Sequence, residues 1–250
     1  MAADRPTAEP APADWHRYST ARRADDEVTN AVTYGEGLPT EADLRLLGPV
    51  DGRRILDLGC GAGHNAALLA QQGAKVIAVD TLADHLERAR SRAERAAVRV
   101  ELHQAQLAEL PFLRSDSIDA ALSVMALATE DDLARVFRQV HRVLKPEASF
   151  VLTLPHPAFA LFDPTAEDPL RVVRRYDDHT AKRWELDDRD VIDHPRTFGE
   201  LFTTLHRGGF HVDQVIEPIA TPSGPRTAAW ADLMRTVPAT LLLRARKQGN

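Results

Sequence analysis

Cysteine is nearly absent from this 250-residue chain: Cys60 stands alone. One thiol cannot form an intramolecular disulfide framework or a multi-cysteine zinc site, so an intracellular, cytoplasmic chain without a metal centre is expected. Basic excess is also missing. The net charge of −6 supplies no long-range attraction to nucleic acid or to an anionic membrane. Long apolar runs are absent too, and nothing approaches the roughly 18 residues that a spanning helix needs. No internal repeat is evident. Residues 1–14, rich in Ala and Pro with no apolar stretch, read as a disordered arm and not as a signal peptide.

What remains is ordinary for a globular domain: 44% hydrophobic and 27% charged residues. Residues 15–50 read as broken helix, interrupted by Gly35, Gly37 and Pro39, with Thr40 capping a helix through Leu47. Trp15, Tyr18 and the Tyr34-Gly35 pair belong to this stretch, which is expected either to form a helical lid or to pack on the body of the domain.

From residue 51 the texture changes. Short apolar runs at 54–58, 75–79, 98–102, 118–124 and 149–154 predict buried strands. Helical patterns at 66–72, 84–96 and 131–144 separate the strands around them. Five strands linked by right-handed crossovers imply an α/β fold, a parallel sheet with both faces covered. Residues 155–195 break the rhythm with prolines, charges and weak periodicity, a cap-like insertion. A helix over 197–207 follows, then strands over 211–219 and 240–245, expected to form an antiparallel hairpin at the sheet edge. A helix at 228–235 is the competing pattern there.

The chemical signal lies between the first strand and the first helix: Asp57-Leu58-Gly59-Cys60-Gly61-Ala62-Gly63. Glycines let the backbone turn sharply and approach a ligand, and the helix that follows favours an anionic group at its start. Asp80 ends the second strand, where an acid accepts ribose hydroxyls. A dinucleotide site wants GxGxxG spacing. Here the third glycine comes one residue early and Asp57 precedes the loop, which favours a cationic amino-acid head over two phosphates.

These residues resemble the class I S-adenosylmethionine-dependent methyltransferases, whose first motif is similar to "ILDLGCGAG". "LAELPF" and "RVLKP" resemble later segments of the family, so the likeness runs from about Gly52 to Leu154 and more loosely to the C-terminus. It implies a Rossmann-like three-layer sandwich over 51–250, with a seven-stranded, mostly parallel sheet and an antiparallel last strand. It further implies S-adenosylmethionine as cofactor and in-line methyl transfer to a small-molecule acceptor. The residues assigned to the cofactor are Tyr34, Asp57, Gly59, Cys60, Gly61, Asp80, Thr81, Gln106, Leu107 and Ser123.

Three departures stand out. Gln106 replaces the usual acid of the third-strand loop, though its carbonyl still accepts. Glu147-Ala148 replaces a Gly-Gly pair, which is expected to reshape that turn. Ser123-Val124-Met125-Ala126-Leu127 offers no base after the fourth strand. His156, after the fifth strand, is the candidate catalytic residue: either it faces the acceptor as a base, or loop backbone and two prolines hold it structurally. His64 either contacts the cofactor carboxylate or, as the favoured reading, is a solvated first-turn residue; the Arg171, Arg174 and Arg175 cluster either reads an anionic substrate or, as the favoured reading, forms a solvated mixed-charge face. Competing functions are a cofactor-binding relative with a scaffolding or regulatory role, a nucleic-acid methyltransferase and a nicotinamide-dependent oxidoreductase.

Overall fold

The computed structural model describes residues 31–35, 37–164, 166–186, 189–221 and 231–249. The arm over 1–14 and residues 15–30 of the expected lid, Trp15 and Tyr18 among them, lie outside the described residues, as do 228–230.

The strands predicted from apolar runs form, and their burial explains the runs. In β1 (Arg54–Leu58) every residue after the first is buried, as is every residue of β2 (Lys75–Asp80) after Lys75. These strands are covered on both faces, so alternation disappears. Three further strands, β3 (Val100–Gln104), β4 (Ile118–Val124) and β5 (Leu144–Pro155), complete the parallel part: β1 pairs with β2 and β4, β2 with β3, and β4 with β5. The third strand begins two residues later than its apolar run because Ala97, with φ of +53°, and the Val98 N–H bond to Ala93 first close the preceding helix.

The order across the main sheet is β3-β2-β1-β4-β5-β9-β8, where β8 is Phe210–Ile216 and β9 is Thr240–Lys247. The last strand runs antiparallel to both neighbours and inserts between β5 and β8, so the expected hairpin exists but its second strand is internal. Between them the described residues hold one 3₁₀ turn, Asp232–Arg235, in place of a crossover helix. The chain starts in the middle of the sheet and winds outward in opposite directions from β1 and β4. That reversal leaves a crevice at the carboxyl ends of the two strands, where ligands of open α/β sheets bind.

Helices cover both faces. On one side, α2 (His64–Gln71) and the Val32–Val50 region pack Leu46, Leu47, Ala66 and Leu69 against Ile55, Val76 and Leu122. On the other, α4 (Leu133–Val143) and α5 (Phe198–Arg207) pack Val136, Phe137, Val140 and Leu205 against Leu56, Ile77 and Phe150. Between β2 and β3 runs α3 (Ala83–Arg95). The first helix, α1, is short (Glu41–Leu44) where the cap predicted one through Leu47. Arg45 turns left-handed with φ of +52°, and the buried Glu41 carboxylate accepts the Leu46 and Leu47 N–H groups that a longer helix would have used.

The turn at Glu147-Ala148 places a residue with a side chain in a left-handed conformation. Glu147 takes φ of +62°, the left-handed conformation that glycine adopts freely, and the β4–β5 register shifts beside it. The insertion also holds more order than its periodicity announced: a 3₁₀ turn at Phe159–Leu161 and an antiparallel hairpin of β6 (Lys182–Leu186) and β7 (Arg189–Asp193). Among the described residues no helix is long and apolar enough to cross a membrane.

Candidate functional site

The glycine loop folds back onto the end of β2. The Gly59 and Cys60 N–H groups both donate to the Val79 carbonyl, at 2.8 and 3.0 Å, and the Gly61 N–H donates to Asp80 Oδ2 at 2.8 Å. Loop and acid are thereby one unit. Gly59 sits at φ of +75°, and a Cβ there would lie 2.1 Å from Ala126 Cβ, so no other residue fits. Gly61, at φ of +53°, has nothing within 4 Å of the place a Cβ would occupy. The first glycine is needed for close packing below the loop; the second leaves open space above it.

Asp57 is the penultimate residue of β1, 3% exposed, with Ala78 and Leu122 as its neighbours in the sheet. Desolvation pushes the Cys60 thiol well up, and the charges of Asp57 and Asp80 push it further. Two carboxylates therefore bear on one loop, an electrostatic setting that attracts a cationic group and repels phosphate.

Asp80 is itself buried and bonded on several sides: Oδ1 accepts from the Leu82 N–H at 3.0 Å and lies 3.1 Å from His85 Nδ1. Thr81 accepts through its carbonyl from Gln104 Nε2. The Ala105 N–H donates to the Asp80 carbonyl, which brings the third-strand loop alongside. There Gln106 is exposed and Leu107 is buried, with Leu107 Cδ1 close to the Gly59 position. The structure thus brings Asp57, Gly59, Cys60, Gly61, Asp80, Thr81, Gln106 and Leu107 to one end of the sheet.

Two other sequence candidates have their hydroxyls bonded within the protein. Ser123 is fully buried and its Oγ donates to the Leu58 carbonyl at 2.8 Å, tying β4 to the last residue of β1. Tyr34 is fully buried among the core residues beneath α2, its hydroxyl donating to Glu41. Burial raises its hydroxyl pKa far above the ordinary value, and the Glu41 charge adds to this. His64 is buried at the start of α2, not solvated as its first-turn position suggested.

His156 has both ring nitrogens engaged. Nδ1 accepts from the Ala158 N–H at 3.0 Å, so Nε2 carries the proton and donates it to Glu217 at 2.7 Å. The ring borders a recess at the end of β5, walled by Arg174, Tyr176 and His194 from the insertion and by Arg196 directly after it. Arg174 pairs with Asp178 and Arg175 with Asp177, so the charges mix as expected of that cluster, but of these two only Arg175 is solvated: the Arg174 side chain is 17% exposed and turned to the recess. Arg196 donates to the carbonyls of Glu130, Asp131 and His194 and so fastens the insertion to the loop after β4. The 3₁₀ turn Ala126–Thr129 joins the two concavities: Ala126 abuts the Gly59 position, and Ala128 lines the recess.

Residues 55–147 match the family described as "Methyltransferase domain". A ubiquinone biosynthesis O-methyltransferase of Azorhizobium caulinodans is 31% identical over 183 residues, 72% of this chain and 67% of that one. The chain belongs to the class I S-adenosylmethionine-dependent methyltransferases. An S-adenosylmethionine-dependent methyltransferase structure from Mesorhizobium loti superposes with a TM-score of 0.62 at 29% identity, covering 82% of this chain and 95% of that one. An S-adenosyl-L-methionine-dependent Diels-Alderase of Talaromyces variabilis, iccD, is 34% identical over 104 residues, which span 40% of this chain but only 36% of that enzyme. For a class I methyltransferase the cofactor is S-adenosylmethionine, and the residues at the switch point fit it: a cradle open above Gly61, an acid beside it for a ribose, and negative potential for an ammonium group.

His85, Met125 and Arg196 escaped the sequence reading. His85 carried a signal, since a side chain five residues past the strand-ending acid lies in the first turn of the next helix and reaches back. Met125, at φ of +60° with its N–H on Thr153, and Arg196, bound to backbone carbonyls, had none.

Proposed function

We propose that this chain transfers the methyl group of S-adenosylmethionine to a small-molecule acceptor held in the recess beneath the insertion, in the cytoplasm. The observation that carries the reading is the Asp80 carboxylate bonded to the Gly61 N–H at the topological switch point. Asp80 takes the ribose, the open face of Gly61 admits the methionine part, and Asp57 favours its ammonium group. Leu107 and Thr81 flank the adenine, and the Gln106 carbonyl accepts from its amine.

When bound, the cofactor supplies an electrophilic methyl group on a sulfonium. The protein's work is then positioning and water exclusion, which suffice for an in-line displacement. The shared wall of Ala126–Thr129 sets the acceptor beside the glycine loop. His156 shapes the recess by holding Ala158 and Glu217, and with both nitrogens occupied it takes no proton there. The reading therefore favours an acceptor that is nucleophilic without a protein base.

The test is incubation with methyl-labelled S-adenosylmethionine and a metabolite extract, followed by separation of labelled products. Label in one or a few small molecules is expected. A second reading, cofactor-dependent chemistry other than methyl transfer, is supported by the likeness to the Diels-Alderase and by the missing base. Tight cofactor binding with no label transferred in any extract would favour it over the first.

A further inference from the structure

We infer that His85 competes with the cofactor's ribose for Asp80, so that cofactor affinity falls as the imidazole gains its proton. This rests on the reading of Asp80 as the ribose acceptor. A carboxylate offers about four acceptor positions, two on each oxygen. Oδ1 has two donors around it, the Leu82 N–H at 3.0 Å and His85 Nδ1 at 3.1 Å, and Oδ2 has the Gly61 N–H at 2.8 Å. One position is left, on Oδ2. A ribose presents two neighbouring hydroxyls, and both bond the acid only if a donor already there withdraws. The two backbone donors are fixed by the loop and by the start of α3. The His85 side chain is the one that can rotate.

Protonation decides how hard it resists. A neutral ring bonds Asp80 only as the Nδ1–H tautomer, whereas a protonated ring always carries that hydrogen and adds a full positive charge facing the carboxylate. The geometry is that of such a pair, with the His85 side chain 19% and the Asp80 side chain 9% exposed. The helix α3 packs against β2, β3 and α2. Their titratable groups are Lys75 and Asp80 on β2, Glu101 and His103 on β3, and His64 on α2. Glu101 and His103 bond each other, and on α3 Asp84 pairs with Arg88 while Arg92 holds the Ala62 carbonyl. Asp80 is the partner that the His85 ring is placed to charge-pair with.

The experiment is calorimetric titration of the full chain with S-adenosylhomocysteine from pH 5.5 to 8, for wild type, His85→Met and His85→Asn. Wild-type affinity is expected to fall about three- to ten-fold from pH 8 to 5.5. His85→Met, which cannot donate, binds more tightly than wild type at pH 5.5 and with little pH dependence. His85→Asn keeps a donor without a titration, so its binding is flat with pH and weaker than that of His85→Met. Thermal melts establish that each variant is folded, and either variant suffices to read the pH slope. Titration with the 2′-deoxy and 3′-deoxy ligands adds a second readout: one of the two missing hydroxyls costs less in wild type than in His85→Met. Binding by all three proteins with the same pH slope overturns the role of His85 and leaves the cofactor reading standing. Absence of binding by folded wild-type and variant proteins alike overturns both.

Discussion

Two glycines two residues apart do different work, and a methyl group added to each separates the roles. At Gly59 an alanine Cβ would meet Ala126 Cβ at 2.1 Å in a backbone already at φ of +75°. Left-handed strain and overpacking together cost about 3 kcal/mol, and the melting temperature of Gly59→Ala is expected to drop by roughly 6–12 °C. At Gly61 the Cβ meets no protein atom within 4 Å, so only the strain remains, about 1 kcal/mol. That Cβ enters the space assigned to the cofactor, and Gly61→Ala should lose about ten-fold or more in affinity for S-adenosylhomocysteine while staying folded. Melting curves and calorimetry on the pair decide it. A Gly61→Ala protein that binds as well as wild type would mean the open face of the loop is not the cradle.

At the scale of whole elements, much of the sheet was readable because strands covered on both faces need unbroken apolar runs, as at 75–79, and the helices between them need one apolar stripe. What escaped were features fixed by hydrogen bonds instead of apolar burial. The β6–β7 hairpin is a backbone ladder in a charged segment, and α1 stops early because Glu41 captures two N–H groups. The place of β9 between β5 and β8 likewise follows from pairing that no periodicity records. The glycine loop and Asp80 were legible because their chemistry lies in residue type and spacing; the engagement of both His156 nitrogens depends on Glu217, 61 residues away.

The β8–β9 edge carries a staple that tests this kind of long-range pairing. Asp213 bonds Arg244 through both carboxylate oxygens and also Arg246. Burial raises its pKa, but the hydrogen bonds from the two arginines outweigh it and hold the carboxyl below its ordinary value. A folded-state pKa below the unfolded one means the contribution is complete above the unfolded carboxylate range, near pH 4, and disappears as pH falls through the depressed value. Asp213→Asn is therefore expected to lose roughly 1 kcal/mol at pH 7, a surface network of modest worth. Its melting temperature should converge with that of wild type as pH falls through the depressed range of the Asp213 carboxyl. A constant gap down to acid pH would place the contribution in packing and not in charge.

For the whole molecule, the glycine-loop cradle and the recess beside His156, the proposed cofactor and acceptor sites, are built from different materials. The cradle belongs to the sheet, its loop bonded to Val79 and Asp80. The recess depends on the insertion, which is anchored by Arg196 on the carbonyls of Glu130, Asp131 and His194 and by the His194 N–H on Ala128. A guanidinium can hold three carbonyls in one plane, and an ammonium on a flexible stem cannot reproduce that fork. Arg196→Ala leaves those carbonyls without their donor, at about 1–3 kcal/mol each where water does not replace it. The expected result is faster proteolytic cleavage within 156–196 and at least a ten-fold loss of methyl transfer. Affinity for S-adenosylhomocysteine stays within about two-fold, since the glycine loop is held by Val79 and Asp80 of the sheet; Arg196→Lys restores only part of the transfer rate. Parallel loss of cofactor affinity, with the proteolytic pattern unchanged, would mean that the two halves are not separable and that Arg196 acts on the cradle itself.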